Sequence, residues 1–500
     1  MKHLEILALA QLGERVAALQ SVRSYWGGML DCDASTFFEA FNENEDVSDI
    51  TQFYGRQFAR SLCHAWSAGP CALYPEIILG LRPLSNGWKE WICDPLPCCI
   101  STVSTTIYTR FGVIEIQIDT ENLQVTVPNG TSMMLMNKRY SCGKHIFARK
   151  SLISSQDIST WSKKYRDWNH HPSYVIEPDV QIVGCEGIQM VDVPTVYQLP
   201  GDETKFYMSF VGYDGEGYQS FVAESTDLLH WSNARLAMGY GEEGSFDYGG
   251  VVLGAFLYES YDINTPRVLK RLNGKFYSLY GAYASKGGYE IDPGSQGLAS
   301  SEDGLAWKKE SDESILSIYG PGVVKEWEKD SIYQPWLVEH EGMYYNFYNA
   351  KQMPRWVEQI GLATSTDLHN WVRHEDNPIL RVGGGDSPDD TINDGYDTQF
   401  TADAKVFFDR NEEHWVMFYY GVGKGAAHIM VAYSKDLINW VRDPVPSYTA
   451  GSNPSGLDKQ YAHKISLIWK DKMWYMFYCA VGESNGRRGI GLITSQAGSY

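Results

Sequence analysis

The chain has 500 residues, 43% hydrophobic and 14% aromatic, with 16 Trp and 33 Tyr, enough apolar surface for more than one core, so two or three domains are expected. A formal net charge of −20 argues against a nucleic-acid groove or an anionic membrane surface, both of which need an excess of Lys and Arg. No apolar run is long enough to span a bilayer.

The first residues, "MKHLEILALAQLGERVAALQ", place Glu5 inside what would be the apolar core of a signal peptide. They read as an amphipathic helix, and a cytoplasmic protein is expected. Nine Cys is an odd number, scattered, with Cys98 and Cys99 adjacent and no pair at zinc-ligand spacing; reduced thiols follow. Helical spacing runs to about residue 82. Alternating runs "VIEIQI" and "LQVTV" then predict hairpin strands. The expected boundaries are a helical segment over 1–75 and a small β-sandwich over 76–145.

From there the sequence repeats itself. "FVAESTDLLHW" (221–231), "GLASSEDGLAW" (297–307), "GLATSTDLHNW" (361–371) and "MVAYSKDLINW" (430–440) are close copies, and "GLITSQ" (491–496) begins another. An aromatic strand such as "KFYMSFVGY" or "MWYMFYCAV" precedes each copy. Before that stands a further β-type run: "PTVYQL" (194–199), "PRVLKRL" (266–272), "QPWLVEH" (334–340), "ADAKVFF" (402–408) and "HKISLIW" (463–469). Four antiparallel strands recurring roughly every sixty to seventy residues predict a β-propeller, here five-bladed over 150–500. In "S-x-D-L-x-x-W", Ser and Asp are turn-formers and Trp is a packing residue. The last copy lacks its Asp and Trp, and an open ring leaves unpaired edges. "ISSQDISTWSKKY" (153–165) carries the same spacing through Ser155, Asp157 and Trp161, so it is expected to supply the closing outer strand.

Propeller topology puts the starts of the inner strands and the second-to-third loops on one face. Asp192, Asp247 and Asp262, Asp330, Asp397 and Asp403, and Asp458 with His463 stand before or beside the expected inner strands. The loops add Asp214 and Glu216, Lys351, Arg355 and Glu358, Lys424 and His428, and Arg487 with Arg488. Carboxylates converging on one axis are costly unless they bind or react.

The blade pattern and the Asp-then-Pro start of blade one resemble the five-bladed propeller glycosidases of the family 43 and family 32 type, over about 150–500. The resemblance implies an Asp base in blade one (Asp192), an Asp tuning pKa in blade two (Asp262) and a carboxylic acid in blade three. Where that family has Glu before Pro, this chain has Gln334 before Pro335, so the acid is sought in Asp330 or Glu358. Asp247, Gln334, Trp336, Lys351, Asp397, Asp403, His428, His463 and Arg487 are the expected substrate-binding residues. His463 resembles that family's axial histidine, beside which an ion or a water can sit; no cofactor is required. Further upstream, "RSYWGGMLDCDASTFFEAF" and "SLCHAWSAGPCALYPEIILGLRPLSNGWKEW" resemble the end of the six-hairpin barrel of α-L-rhamnosidases, followed by its closing sandwich. Glu39 stands at that family's proposed base, but most of the barrel is missing, so Glu39 is expected to be vestigial; the segment is a degraded fusion partner, a start inside a longer protein or a docking module, with homo-oligomerisation through it open.

The implied reaction is hydrolysis of an O-glycosidic bond, exo-acting on a plant or microbial side-chain sugar. One protonated carboxyl serves the leaving oxygen, and one carboxylate activates water or attacks carbon. An inverting enzyme holds the two roughly 6.5–9.5 Å apart. Two alternatives stay open: a non-catalytic sugar-binding propeller, and a phosphorylase using Lys351, Arg355, Arg487 and Arg488 around phosphate.

Overall fold

The computed structural model describes residues 2–11, 15–32, 34–42, 52, 56, 60–95, 102–119, 122–135, 138–148, 153, 155–182, 184–383, 395–482 and 486–496. The fold is mainly β, and it divides into two compact units, Met1–Ser154 and Ser155–Tyr500.

The first unit opens with helices Lys2–Gln11 and Arg15–Val22, and the later helix Pro70–Leu79 packs with both. Pro70 suits the first turn, where its missing N–H is not needed. Gly80 ends the helix at φ 55°, and a Cβ there would meet the Asp94 carbonyl oxygen at 2.4 Å, so only glycine fits. Two four-stranded sheets follow. One joins Arg82–Pro83, Glu90–Ile92, Ser132–Leu135 and Lys138–Tyr140; the other joins Val103–Thr109, Gly112–Ile118, Asn122–Val127 and Gly143–Ala148. Alternation works as expected: Ile114, Ile116, Ile118, Leu123, Val125 and Val127 turn into one core with Leu19, Trp26 and Ile77. Cys32, Cys63, Cys93, Cys142, Cys185 and Cys479 are free thiols; Cys98 and Cys99 lie outside the described residues.

The second unit is built from four-strand antiparallel meanders. The first runs Met190–Tyr197, Phe206–Tyr213, Tyr218–Ser225 and Ser232–Met238. The second runs Gly250–Phe256, Lys275–Tyr283, Gly294–Ser301 and Lys308–Lys309. The third runs Ser331–His340, Met343–Gln352, Val357–Ser365 and Val372–Arg373. Phe400–Asp409, His414–Gly423, Ala426–Ser434 and Trp440–Arg442 form the fourth. Tyr461–Lys470, Met473–Val481 and Arg488–Gln496 begin the last.

Single parallel pairings join meanders where a third strand meets the next first strand: Tyr218 with Gly250, Glu358 with Phe400, Ala427 with Tyr461. The first meander also meets the last, since the Val196 N–H donates to Ser466 Oγ at 2.8 Å. The repeated turns act as their chemistry predicts. In the third, the Asp367 carboxylate accepts the N–H groups of His369 and Asn370, Ser365 Oγ accepts that of Leu368, and the Trp371 indole donates to the Leu368 carbonyl at 2.8 Å.

Two expectations change. The segment 153–165 is not a strand: Ser155–Lys164 is an α-helix, with Asp157 in its first turn and Lys163 and Lys164 in its last, matching the helix dipole. It turns Trp161 onto His414 (rings 4.0 Å apart), and just beyond it the Tyr165 hydroxyl donates to Asp409 at 2.6 Å. The strand that completes the last meander is the shorter Asn169–His170, pairing with Ile493 and Thr494, followed by a bridge between Ile176 and Ile490. Secondly, the first strand of the second meander is the glycine-flanked "GVVLGAF" of Gly250–Phe256, not 266–272. Residues 257–274 form an excursion at the far end of the sheet, where Ile263 N–H donates to the Phe408 carbonyl at 2.8 Å.

Candidate active site

First strands share one local device. Pairing slips between Asp192 and Thr195, Leu253 and Ala255, Tyr333 and Trp336, Ala402 and Lys405, and His463 and Ile465. Each slip is a β-bulge, which re-aims side chains. In four of them a non-glycine residue takes the left-handed backbone region: Val193 (φ 48°), Gln334 (φ 48°), Asp403 (φ 54°) and Lys464 (φ 51°). That conformation is costly for such residues and gathers at functional sites.

Around these bulges the first, second and last meanders form a balanced charge cluster. Asp192 is fully buried. Its Oδ2 accepts from Lys464 Nζ at 2.8 Å and Arg488 Nη1 at 3.2 Å, and its Oδ1 accepts the Val193 N–H at 2.8 Å. Burial alone would raise its pKa, but Lys464 and Arg488 outweigh it and hold the carboxyl far below the usual range. Lys464 turns a second N–H to Glu290 Oε1 at 2.9 Å. Its ammonium is buried, which alone would discharge it, yet the two carboxylates push its pKa well up. Glu290 has a left-handed backbone (φ 53°) and keeps 24% of its side chain exposed.

Glu358 opens the third strand of the third meander in a different environment. It is buried, its Oε1 accepts the Trp356 indole N–H at 2.9 Å, its Oε2 the Tyr420 hydroxyl at 3.4 Å, and Tyr333 also bonds to it. Burial raises its pKa above the ordinary value, and the nearby negative charge of Glu290 adds to the rise. The hydrogen bonds and Lys464 oppose this without cancelling it. Trp356, at φ 45°, stays 44% exposed, and Tyr289 is 46% exposed with Arg488 over its ring at 4.9 Å.

The other expected residues fall elsewhere. Asp262 sits in the far-end excursion, paired with Arg410 at 3.1 Å. The glycines around Gly250–Phe256 hide a strand, so the sequence alone puts Asp262 on the wrong face. Asp330 is spent on a turn: its Oδ2 accepts the Met353 N–H at 2.7 Å. Asp247, Asp397 and Asp458 do not converge on the axis. Each accepts a tyrosine hydroxyl from the second strand of its own meander: Tyr280 at 3.1 Å, Tyr419 at 2.8 Å and Tyr478 at 3.0 Å. Glu328 does the same with Tyr348 at 2.8 Å. Lys309, Arg373 and Arg442 from fourth strands pair with Asp247, Glu328 and Asp397. Recurrence of these carboxylates is therefore a repeated clamp inside the meanders.

Gln334 is buried with no partner for Nε2, and Asp403, paired with Lys405, leaves Oδ2 without one. Trp336 is core, its indole donating to the Val406 carbonyl at 3.2 Å. Lys351 pairs with Asp292 at 2.5 Å and lies 4.5 Å over the Trp356 ring. His428 is buried, and that burial lowers its pKa. Arg487 turns away to Asp179 at 2.8 Å, and its neighbour Arg488 takes the inward place.

His463 is neutral, pushed down to about 3 by burial despite Asp192. Its Nδ1 lies 3.0 Å from the Cys479 carbonyl. Ligand atoms of Asp192, His463 and Cys479 lie within 4.8 Å of one another. The residues do not fit a metal: burial keeps the Cys479 thiol protonated, and two cations already neutralise Asp192. Sequence reasoning missed Glu290, Lys464, Tyr333 and Tyr420. The second-to-third loop of the second meander, 284–293, would have supplied Glu290.

Comparison with known proteins agrees at the level of fold. A family model described as the bacterial alpha-L-rhamnosidase C-terminal domain matches residues 80–142, the part expected to form the sandwich. A solved structure of BT0996, described as an RGII complex, is 24% identical with a TM-score of 0.58, over 69% of this protein and 96% of that one. Another, described as "Glycoside hydrolase", is 22% identical with a TM-score of 0.55, over 70% and 98%. No curated protein matches the chain.

Proposed function

We propose that the chain is a glycoside hydrolase built on a five-bladed β-propeller, with Glu358 as the general acid and Glu290 as the carboxylate that activates water or attacks the anomeric carbon. The observation that carries this is the contrast between the two carboxyls. Glu358 is buried among Trp356, Tyr333 and Tyr420 with its pKa raised, which favours the protonated form that a general acid gives to the leaving oxygen. Glu290 is salt-bridged to Lys464 and partly open. A buried carboxyl whose protonated form is favoured, near a second that is salt-bridged and partly open, matches the two roles of glycoside hydrolysis.

Asp192, expected as the base, is given a different part. Both its oxygens are engaged and none of its surface is open. A base must take up a proton, and Lys464 and Arg488 hold this carboxyl in its ionised form, its pKa far below the usual range. It serves as the counter-ion of Lys464 and Arg488. Exposed Trp356 and Tyr289 offer faces on which sugar rings stack. Likeness in fold to a structure described as an RGII complex favours a carbohydrate ligand, and an exo-acting role on a side-chain sugar remains the substrate class proposed.

The test is a screen of aryl glycosides (α-L-arabinofuranoside, β-D-xyloside, α-L-rhamnoside, β-D-galactofuranoside) with and without phosphate. Turnover independent of phosphate is expected. Turnover only with phosphate would make the protein a phosphorylase, and sugar binding without turnover would make it a lectin.

A further inference from the structure

Lys464 is an expensive residue where it stands. Its backbone lies at φ 51°, a region that glycine or asparagine enters more cheaply. Its ammonium is buried, and it serves carboxylates of two other meanders, Asp192 at 2.8 Å and Glu290 at 2.9 Å. A residue kept only to fill a bulge needs neither the charge nor the length. Arg488 already neutralises Asp192 at 3.2 Å and steadies itself on the Tyr218 hydroxyl at 3.2 Å. Lys464 and Arg488 against Asp192 and Glu290 make two positive and two negative charges, so the charge on Lys464 is balanced only when Glu290 is included.

From this we infer that Lys464 is a positioning residue: Asp192 anchors its ammonium, and the ammonium fixes the Glu290 carboxylate toward the sugar. The inference rests on the hydrolase reading above and adds a fixed aim for its second carboxylate. Glu290 lies on a loop between strands Lys275–Tyr283 and Gly294–Ser301. Sites on loops are aimed less sharply than sites on strands unless a second contact locks them. Lys464, rooted in a first strand, is that contact.

The test is a kinetic double-mutant cycle with Lys464→Met, Glu290→Gln and the pair, beside Lys464→Arg. If Lys464 acts through Glu290, Lys464→Met lowers kcat by about 100-fold with KM within about threefold, as for an interaction that matters in the transition state. Lys464→Arg recovers about tenfold of that loss. In the Glu290→Gln background, Lys464→Met costs less than about threefold more, because groups acting as a unit are not additive. Losses that multiply in the double variant, or an arginine no better than methionine, overturn the inference.

A thermal-unfolding cycle of Asp192→Asn with Lys464→Met needs no substrate. Non-additive Tm losses are expected from the anchor, and additive ones contradict it. Should the wild type turn over no glycoside, the hydrolase reading falls on that result alone, and the unfolding cycle decides the part that concerns Lys464.

Discussion

Glu358 and Asp192 differ in what surrounds their charge, and each difference can be measured. The buried carboxyl of Glu358 has a raised pKa, so the fold keeps a proton that the unfolded chain loses near pH 4.5. The native state then binds more protons, and stability falls as pH climbs from 4.5 to the raised value. Glu358→Gln removes that slope, worth about 1.4 kcal/mol for each tenfold gain in proton affinity; urea unfolding at pH 4.5 and pH 8 reads it. A variant with the wild-type slope would mean that Glu358 is not held protonated. Asp192 works the opposite way. Its carboxylate form is favoured throughout the ordinary range, so its contribution is present above about pH 4 and fades only in strong acid. Asp192→Asn should cost about 3 kcal/mol at neutral pH, the usual size for one partner removed from a buried pair. Unchanged stability would show that the pair carries no weight. Asp192 and Glu358 were both legible in the sequence as carboxylates at a strand start and a strand-to-strand loop. What surrounds each was not, because Lys464 and Arg488 reach Asp192, and Tyr420 reaches Glu358, from distant positions.

At the scale of elements, the repeated "S-x-D-L-x-x-W" phrase was readable because its mechanism is local: Ser and Asp accept N–H groups two or three residues on. The same letters at 155–161 misled for an equally physical reason. The acidic start and basic end of "SQDISTWSKK" suit a helix. Trp161 from this helix stacks on His414 and, 5.2 Å away, meets the Tyr433 ring. Trp161→Ala should therefore destabilise the second unit by about 3–5 kcal/mol, the cost of emptying a large buried site. Chemical denaturation checks it, and a loss below about 1 kcal/mol would make the helix peripheral. The recurrence of Asp247, Asp397 and Asp458 was visible, though Glu328 was not singled out, and recurrence alone cannot tell a funnel from a core.

For the whole molecule, the link between its first and last meanders matters most. Asn169–His170 and the Ile176 bridge complete the last meander, so a chain begun at about residue 178 should leave an edge open and aggregate. One begun at about residue 148 should unfold cooperatively, and a well-behaved chain from 178 would refute closure by this segment. In the first unit, Glu39 Oε2 accepts the Ser61 N–H at 2.8 Å, a structural use, and Glu39→Gln should leave turnover within about twofold, general-base losses being typically 10²-fold or more. The most direct test of the account compares wild type, Glu358→Gln and Glu290→Gln on a natural oligosaccharide and on a nitrophenyl glycoside of the same sugar. Proton donation matters most when the leaving group is poor, so Glu358→Gln should lose about 10²–10⁴-fold on the oligosaccharide and far less on the nitrophenyl substrate. Glu290→Gln should lose on both alike. Near-wild-type cleavage of the oligosaccharide by Glu358→Gln would contradict the assignment and, with it, the two-carboxylate mechanism.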